Sequence, residues 1–179
     1  MTPIRRITIS KAVSGDRSSA RLMAGPLVIP CRIGRSGIVH AKLEGDCATP
    51  AGSWRIGGGF FRADRMRRPR VAMGIRPLRR DDGWCDDADN FQYNRWVRLP
   101  FAASHETMWM KEPSYDIVLV LDHNQTPRVR GRGSAIFFHL TRADSARNSS
   151  GTAGCIAISR ADMRRLLPRL AHDCRMVIR

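Results

Sequence analysis

The chain has 179 residues, 42% hydrophobic and 26% charged, with 31 Lys and Arg against 16 Asp and Glu and a formal charge of +15. That length and hydrophobic share suit one domain, residues 1–179, with a buried core, and argue against a disordered polypeptide. No apolar run reaches the roughly 18 residues that a membrane helix needs, so no membrane segment is expected.

From the N-terminus onward, short apolar runs alternate with Gly, Pro, Asn and Asp clusters, the pattern of a mainly β fold with a minor helical part. Segment 4–9 is the first predicted strand. The opening residues lack the apolar stretch of about 7–15 residues that a secretory leader carries. A cytoplasmic location is therefore expected as the chain is written, and a periplasmic one if the start site is wrong or export is unconventional. Segments 21–29 and 52–57 are the next strands, the latter leaving a Thr49-Pro50-Ala51-Gly52 turn. Residues 60–109 are long and irregular, with an acidic cluster around Trp84 and Cys85, then Tyr93-Asn94-Arg95-Trp96, then His105 to Trp109. Loops of more than about 12–15 residues are usually functional or disordered, and the aromatic content favours a structured capping loop over a cleft. Segment 115–121 is near-continuous β-branched and aliphatic, which suits a strand buried on both faces. Segment 134–140 is a hydrophobic strand ending in His139, and 175–179 is the last strand. One helix is predicted between the two: Ser159 caps it, Asp162 sits in its first turn, and Met163, Leu166, Leu167 and Leu170 form its core stripe. Pro168 should kink or end it.

The cysteines number five, and no two stand in a C-x-x-C pair, so neither a disulfide framework nor a cysteine-rich zinc site is indicated. The question is which thiol reacts, since a nucleophilic cysteine needs a positive or N–H-rich setting and a histidine within reach. Cys85 lies among four aspartates, Cys47 beside Glu44 and Asp46, Cys31 at a strand end, and Cys174 next to a core helix near the chain terminus. Cys155 follows Ser149-Ser150-Gly151-Thr152-Ala153-Gly154, a small-residue turn able to aim backbone N–H groups at one point. Arg142, Arg147 and Arg160 flank it, and His139 ends the strand before the loop. Cys155 is thus expected to be the most reactive thiol, with a pKa below the free value of about 8.5, and His139 its base.

These residues resemble the signature of the L,D-transpeptidase catalytic domain, the YkuD type: a strand ending in His139, a loop, then Thr152-Ala153-Gly154-Cys155. Glu44-Gly45-Asp46-Cys47-Ala48-Thr49-Pro50-Ala51-Gly52 is similar to that family's glycine-containing turn, and the likeness spans about residues 25–179. Ala153 stands where the family commonly has His, Ala157 where a polar residue is usual, and Leu140 follows His139 in place of Gly. The resemblance implies a mainly β sandwich or barrel catalytic domain with one helix in its C-terminal half. It further implies acyl transfer on peptidoglycan stem tetrapeptides or muropeptides. Cys155 would expel the terminal D-alanine through a thioester and residues 153 to 155 would hold the oxyanion, with no metal or organic cofactor. Passing the acyl group to an amine gives a 3→3 cross-link; passing it to water makes a cytoplasmic murein tetrapeptide L,D-carboxypeptidase. Trp84, Tyr93 and Asn94 are expected to line the substrate cleft, with Arg142, Arg147 or Arg160 reading substrate carboxylates. The rival of another class is a non-catalytic module binding peptidoglycan or nucleic acid. The positive charge makes nucleic acid a partner to weigh, but arginine spread along the chain without a zinc-finger, RNP or basic-zipper motif argues against it.

Overall fold

The computed structural model describes residues 2–13, 16–142 and 150–179. Alternation of apolar and polar residues sets the N-terminal strands. In β1 (Ile4–Lys11) Ile7 and Ile9 face inward, and in β2 (Ser19–Ala24) Ala20, Leu22 and Ala24 do. β3 (Leu27–Arg32) pairs back on β2, so the single strand expected over 21–29 is a hairpin. Its turn lies at Gly25, whose φ of +56° a glycine adopts without strain, followed by Pro26. The apolar residues on either side hid that turn from a reading of hydrophobicity alone.

β4 (Ile38–Val39) and β5 (Thr49–Pro50) form a short parallel pair across the Glu44-Gly45-Asp46 turn. β6 (Gly52–Phe61) outruns its expected length, and β7 (Ile75–Pro77) pairs with its end. β11 (Ile117–Leu121), β12 (Phe137–Leu140) and β13 (Ile156–Ile158) follow the capping segment, and β14 (Leu170–Ile178) comes last. The strand order is β11-β12-β13-β3-β2-β1-β14-β6-β7, and β11 also pairs with β6, which closes the sheet into a barrel-like ring. Its interior holds Ile7, Ile9, Leu22, Ile56, Leu119, Phe138, Ile156 and Met176.

The helix α1 (Arg160–Leu166) has Ser159 as its cap, the hydroxyl accepting the Asp162 N–H at 3.1 Å. A helix of seven residues is too short to stand alone, so burial of Met163 and Leu166 in the ring's core is what holds it. Pro168 falls in a 3-10 turn and ends the helix, as expected. Leu170 opens β14 instead of completing the helical stripe, and is buried there.

Residues 60–109 are not a loop throughout. β8 (Asp82–Cys85) lies between β9 (Arg95–Arg98) and β10 (His105–Thr107) in a small antiparallel sheet. Its anchor is Asp82, fully buried, which accepts from Arg76 at 2.7 and 2.9 Å, from the Arg79 N–H at 2.7 Å and from Trp96 Nε1 at 2.7 Å. One member of the acidic cluster is therefore structural, and these four contacts hold its carboxyl below the usual range despite burial.

Candidate active site

The site is built on two parallel neighbours, β12 and β13, in the register Phe138 to Ile156 and His139 to Ala157. Side chains alternate along each strand, so Phe138 and Ile156 enter the ring's core while Phe137, His139 and Ala157, with Cys155 just ahead of β13, lie on the opposite side. There Phe137, Tyr115, Val118, Trp84, Met108 and Cys155 form a second apolar cluster beneath the capping segment. His139 and Cys155 both open onto a cleft of about 360 Å³, lined also by Arg35, Lys42, Glu106, Tyr115 and Arg142. His139 is the one histidine among the described residues lining it; His105 and His123, the other histidines that could serve as a base to Cys155, lie outside it.

The loop reaching Cys155 is fixed by backbone pairing. Thr152 exchanges bonds with Ile33 and Arg35, its N–H donating at 2.9 Å and its carbonyl accepting at 3.0 Å. Its hydroxyl donates to the Cys155 carbonyl at 2.6 Å. Thr49, fully buried in the family-like turn, donates to the Gly154 carbonyl and accepts the Gly34 N–H, both at 2.8 Å. Gly154 has φ +145°, and a Cβ there would stand 2.9 Å from the Ala48 carbonyl oxygen, so the position requires glycine. The Gly154 N–H donates to Thr152 Oγ1 at 3.1 Å, so of the backbone N–H groups at 153 to 155 expected to hold an oxyanion this one is already engaged.

The Cys155 thiol donates to the Ala135 carbonyl at 3.2 Å and its sulfur accepts the Phe137 N–H at 3.4 Å. Burial, then the Glu106 carboxylate, push this thiol up to about 12; Lys42 opposes them. The expectation of a depressed pKa is overturned. Arg160 is paired with Asp116, and the charges that bear on the sulfur are the Glu106 carboxylate and the Lys42 ammonium, with no guanidinium among them. His139 is likewise buried; its Nδ1 bonds the Leu140 carbonyl at 2.8 Å, which leaves Nε2 as the open ring nitrogen. Burial, with Arg142 adding to it, lowers His139 to about 4, so the ring is neutral near pH 7. Tyr115 stands edge-on to His139 at 5.2 Å, and its hydroxyl bonds Glu106 and reaches Cys155. Burial and neighbouring Asp86 raise Glu106 to about 7.

The other thiols sort differently from the charge argument alone. Cys85 is raised first by burial and only then by Asp87 and Asp86, while Cys31 and Cys174 are buried and pushed up to about 12 and about 11. Cys47 is partly exposed, lines the same cleft as Cys155, and lies 3.1 Å from an Arg35 nitrogen.

Trp84, Tyr93 and Asn94, expected in the cleft, do not line it. All three are buried and their polar atoms are engaged internally. Trp84 Nε1 donates to Asn94 Oδ1 at 3.0 Å, the Ala135 N–H donates to the same oxygen at 3.1 Å, and the Tyr93 hydroxyl donates to Glu44. They pin the capping segment to the chain leading into β12. Arg142 does line the cleft, and Arg147 lies outside the described residues. Lys42, Arg35, Glu106 and Tyr115 were not anticipated. Lys42 had one available signal, being one of three lysines in a chain whose basic residues number 31. Nothing local ties Glu106 to Tyr115, because that contact exists only across the cap.

Among the described residues no cluster of His, Cys, Asp and Glu is arranged to hold a metal, and no helix is long and apolar enough to cross a membrane. Comparison with curated proteins and with solved structures returned no match. The L,D-transpeptidase catalytic domain, YkuD, matches residues 17–178, nearly the whole chain and every residue of the cleft, and the chain belongs to that family of enzymes.

Proposed function

We propose that the protein is a cysteine acyltransferase on peptidoglycan stem tetrapeptides, with Cys155 as nucleophile and His139 as general base, forming 3→3 cross-links. The observation that carries this is that His139 in β12 and Cys155, the residue just before the neighbouring β13, open onto a single cleft. The thiol proton passes to His139 Nε2 as the sulfur attacks the carbonyl of the third stem residue. With the thiol pushed up to about 12, ionisation belongs to the attack itself and not to the resting state. The N–H groups of Ala153 and Cys155 hold the oxyanion. The imidazolium returns the proton to the departing D-alanine amine, leaving a Cys155 thioester. An acceptor amine then attacks the thioester, losing its proton to His139. Arg35 and Arg142 put positive charge on the cleft wall where the stem's carboxylates approach, while Lys42 is buried there and paired with Asp46.

The test incubates purified protein with muropeptides, with and without an amine acceptor, and follows products by mass spectrometry, with Cys155→Ala as blank. Cross-linked dimers with D-alanine release are expected. Tripeptide alone would assign the hydrolytic L,D-carboxypeptidase outcome, and no D-alanine release would refute the reading. A matched tetrapeptide ending in L-alanine should remain intact. The carboxylate is held in place, and inverting the terminal Cα drives its methyl into a pocket shaped for the other hand.

A further inference from the structure

Tyr115 has one phenolic hydrogen and two acceptors in reach: the Glu106 carboxylate, to which it is bonded, and the Cys155 sulfur. Its ring is buried and held edge-on between Phe137 at 5.9 Å and His139 at 5.2 Å. The hydroxyl therefore selects its acceptor by rotating a hydrogen and not by moving the ring. An ionised carboxylate is the stronger acceptor of the two.

We propose that Glu106 and Tyr115 are positioning residues for the Cys155 sulfur: an ionised Glu106 holds the Tyr115 hydroxyl and keeps the thiol protonated, and a neutral Glu106 releases that hydroxyl to the sulfur. This rests on Cys155 as the reacting group. In the neutral state the Glu106 carboxyl donates to the Tyr115 oxygen and the Tyr115 hydrogen turns to the sulfur. The negative charge that opposes ionisation is removed, and a donor to the thiolate is gained. The other charges are fixed around this pair. Asp86, at the end of β8, adds negative potential at Glu106; Lys42 opposes it at the sulfur; Arg142 faces His139, which is neutral. Burial and Asp86 place Glu106 at about 7, so both states are populated near neutrality.

Glu106→Gln removes the charge while leaving an amide that still bonds Tyr115. The full chain and this variant are alkylated with iodoacetamide across a pH series, and modification at Cys155 and Cys47 is quantified by peptide mass spectrometry. At mildly alkaline pH, Cys155 in the variant should react about tenfold faster than in wild type, equivalent to about one pH unit of easier ionisation. Adding Tyr115→Phe should remove the part of that gain owed to the phenolic donor and leave the part owed to the lost Glu106 charge. A Cys155 profile that matches wild type or is slower overturns the proposal. So does an equal gain at Cys47, which marks a loosened cleft. The assay needs no peptide substrate, so its failure is distinguishable from a failure of the muropeptide test.

Discussion

Replacing Thr49 by valine tests how the family-like turn supports the nucleophile. The exchange is nearly isosteric, so it opens no cavity; it deletes a hydroxyl that is fully buried. Two partners are then stranded, the Gly34 N–H and the Gly154 carbonyl, each now bonded at 2.8 Å. An unpaired buried group costs about 1–3 kcal/mol, so Thr49→Val, which strands two, should lower unfolding free energy by about 2–6 kcal/mol. The freed carbonyl belongs to the residue before Cys155, and a shift of about 1 Å in a reacting group can cost about 10²-fold in rate. Urea denaturation followed by tryptophan fluorescence reads the first effect, and D-alanine release reads the second. Thr49→Ser retains the oxygen and should recover most of both. A valine variant within about 0.5 kcal/mol of wild type and fully active would refute this account of the turn.

His139→Ala should slow D-alanine release by about 10²–10⁴-fold with the far-ultraviolet circular dichroism unchanged, since a general base contributes about that much. Asp82→Asn turns an amide N–H₂ toward Arg76 and should destabilise the protein by about 3 kcal/mol, the low end for breaking a buried pair because Arg76 is itself 40% exposed; chemical denaturation measures it. Glu106 has a folded pKa raised from 4.5 to about 7, so its contribution to stability is present below 4.5 and is lost as pH rises through about 7. Glu106→Gln should flatten the melting temperature across that window, and an unchanged slope would contradict the raised pKa.

Chemistry confined to one stretch of chain was legible beforehand. The hydrophobic strand ending in His139, the small-residue turn before Cys155, the Ser159 cap and the stop at Pro168 are each written within a few neighbouring residues. What required the third dimension was less visible. The arginines near Cys155 in sequence predict a reactive thiol, but Arg160 turns to Asp116 while Glu106, distant along the chain, bears on the sulfur. Trp84, Tyr93 and Asn94 sit in an aromatic segment that does cover the cleft, yet they face inward, because their polar atoms find partners in Glu44, Ala135 and one another. The Gly25 turn was lost because the strands on both sides are apolar, so periodicity ran through it.

β14 pairs with β1 on one side and β6 on the other, and β1 lies outside residues 17–178 that match the family. Until residues 170–178 are in place, the edges of β1 and β6 expose unpaired N–H and C=O groups, the kind of template that invites pairing with another chain. A ribosome-bound chain lacking this segment has an open sheet and an unsealed core, and the closing contacts join residues 4–9 to residues 170–178, a long separation that favours slow completion. Production of the protein should therefore be sensitive to the loss of residues 170–178 or of their partner strand β1, well before the cleft chemistry is touched.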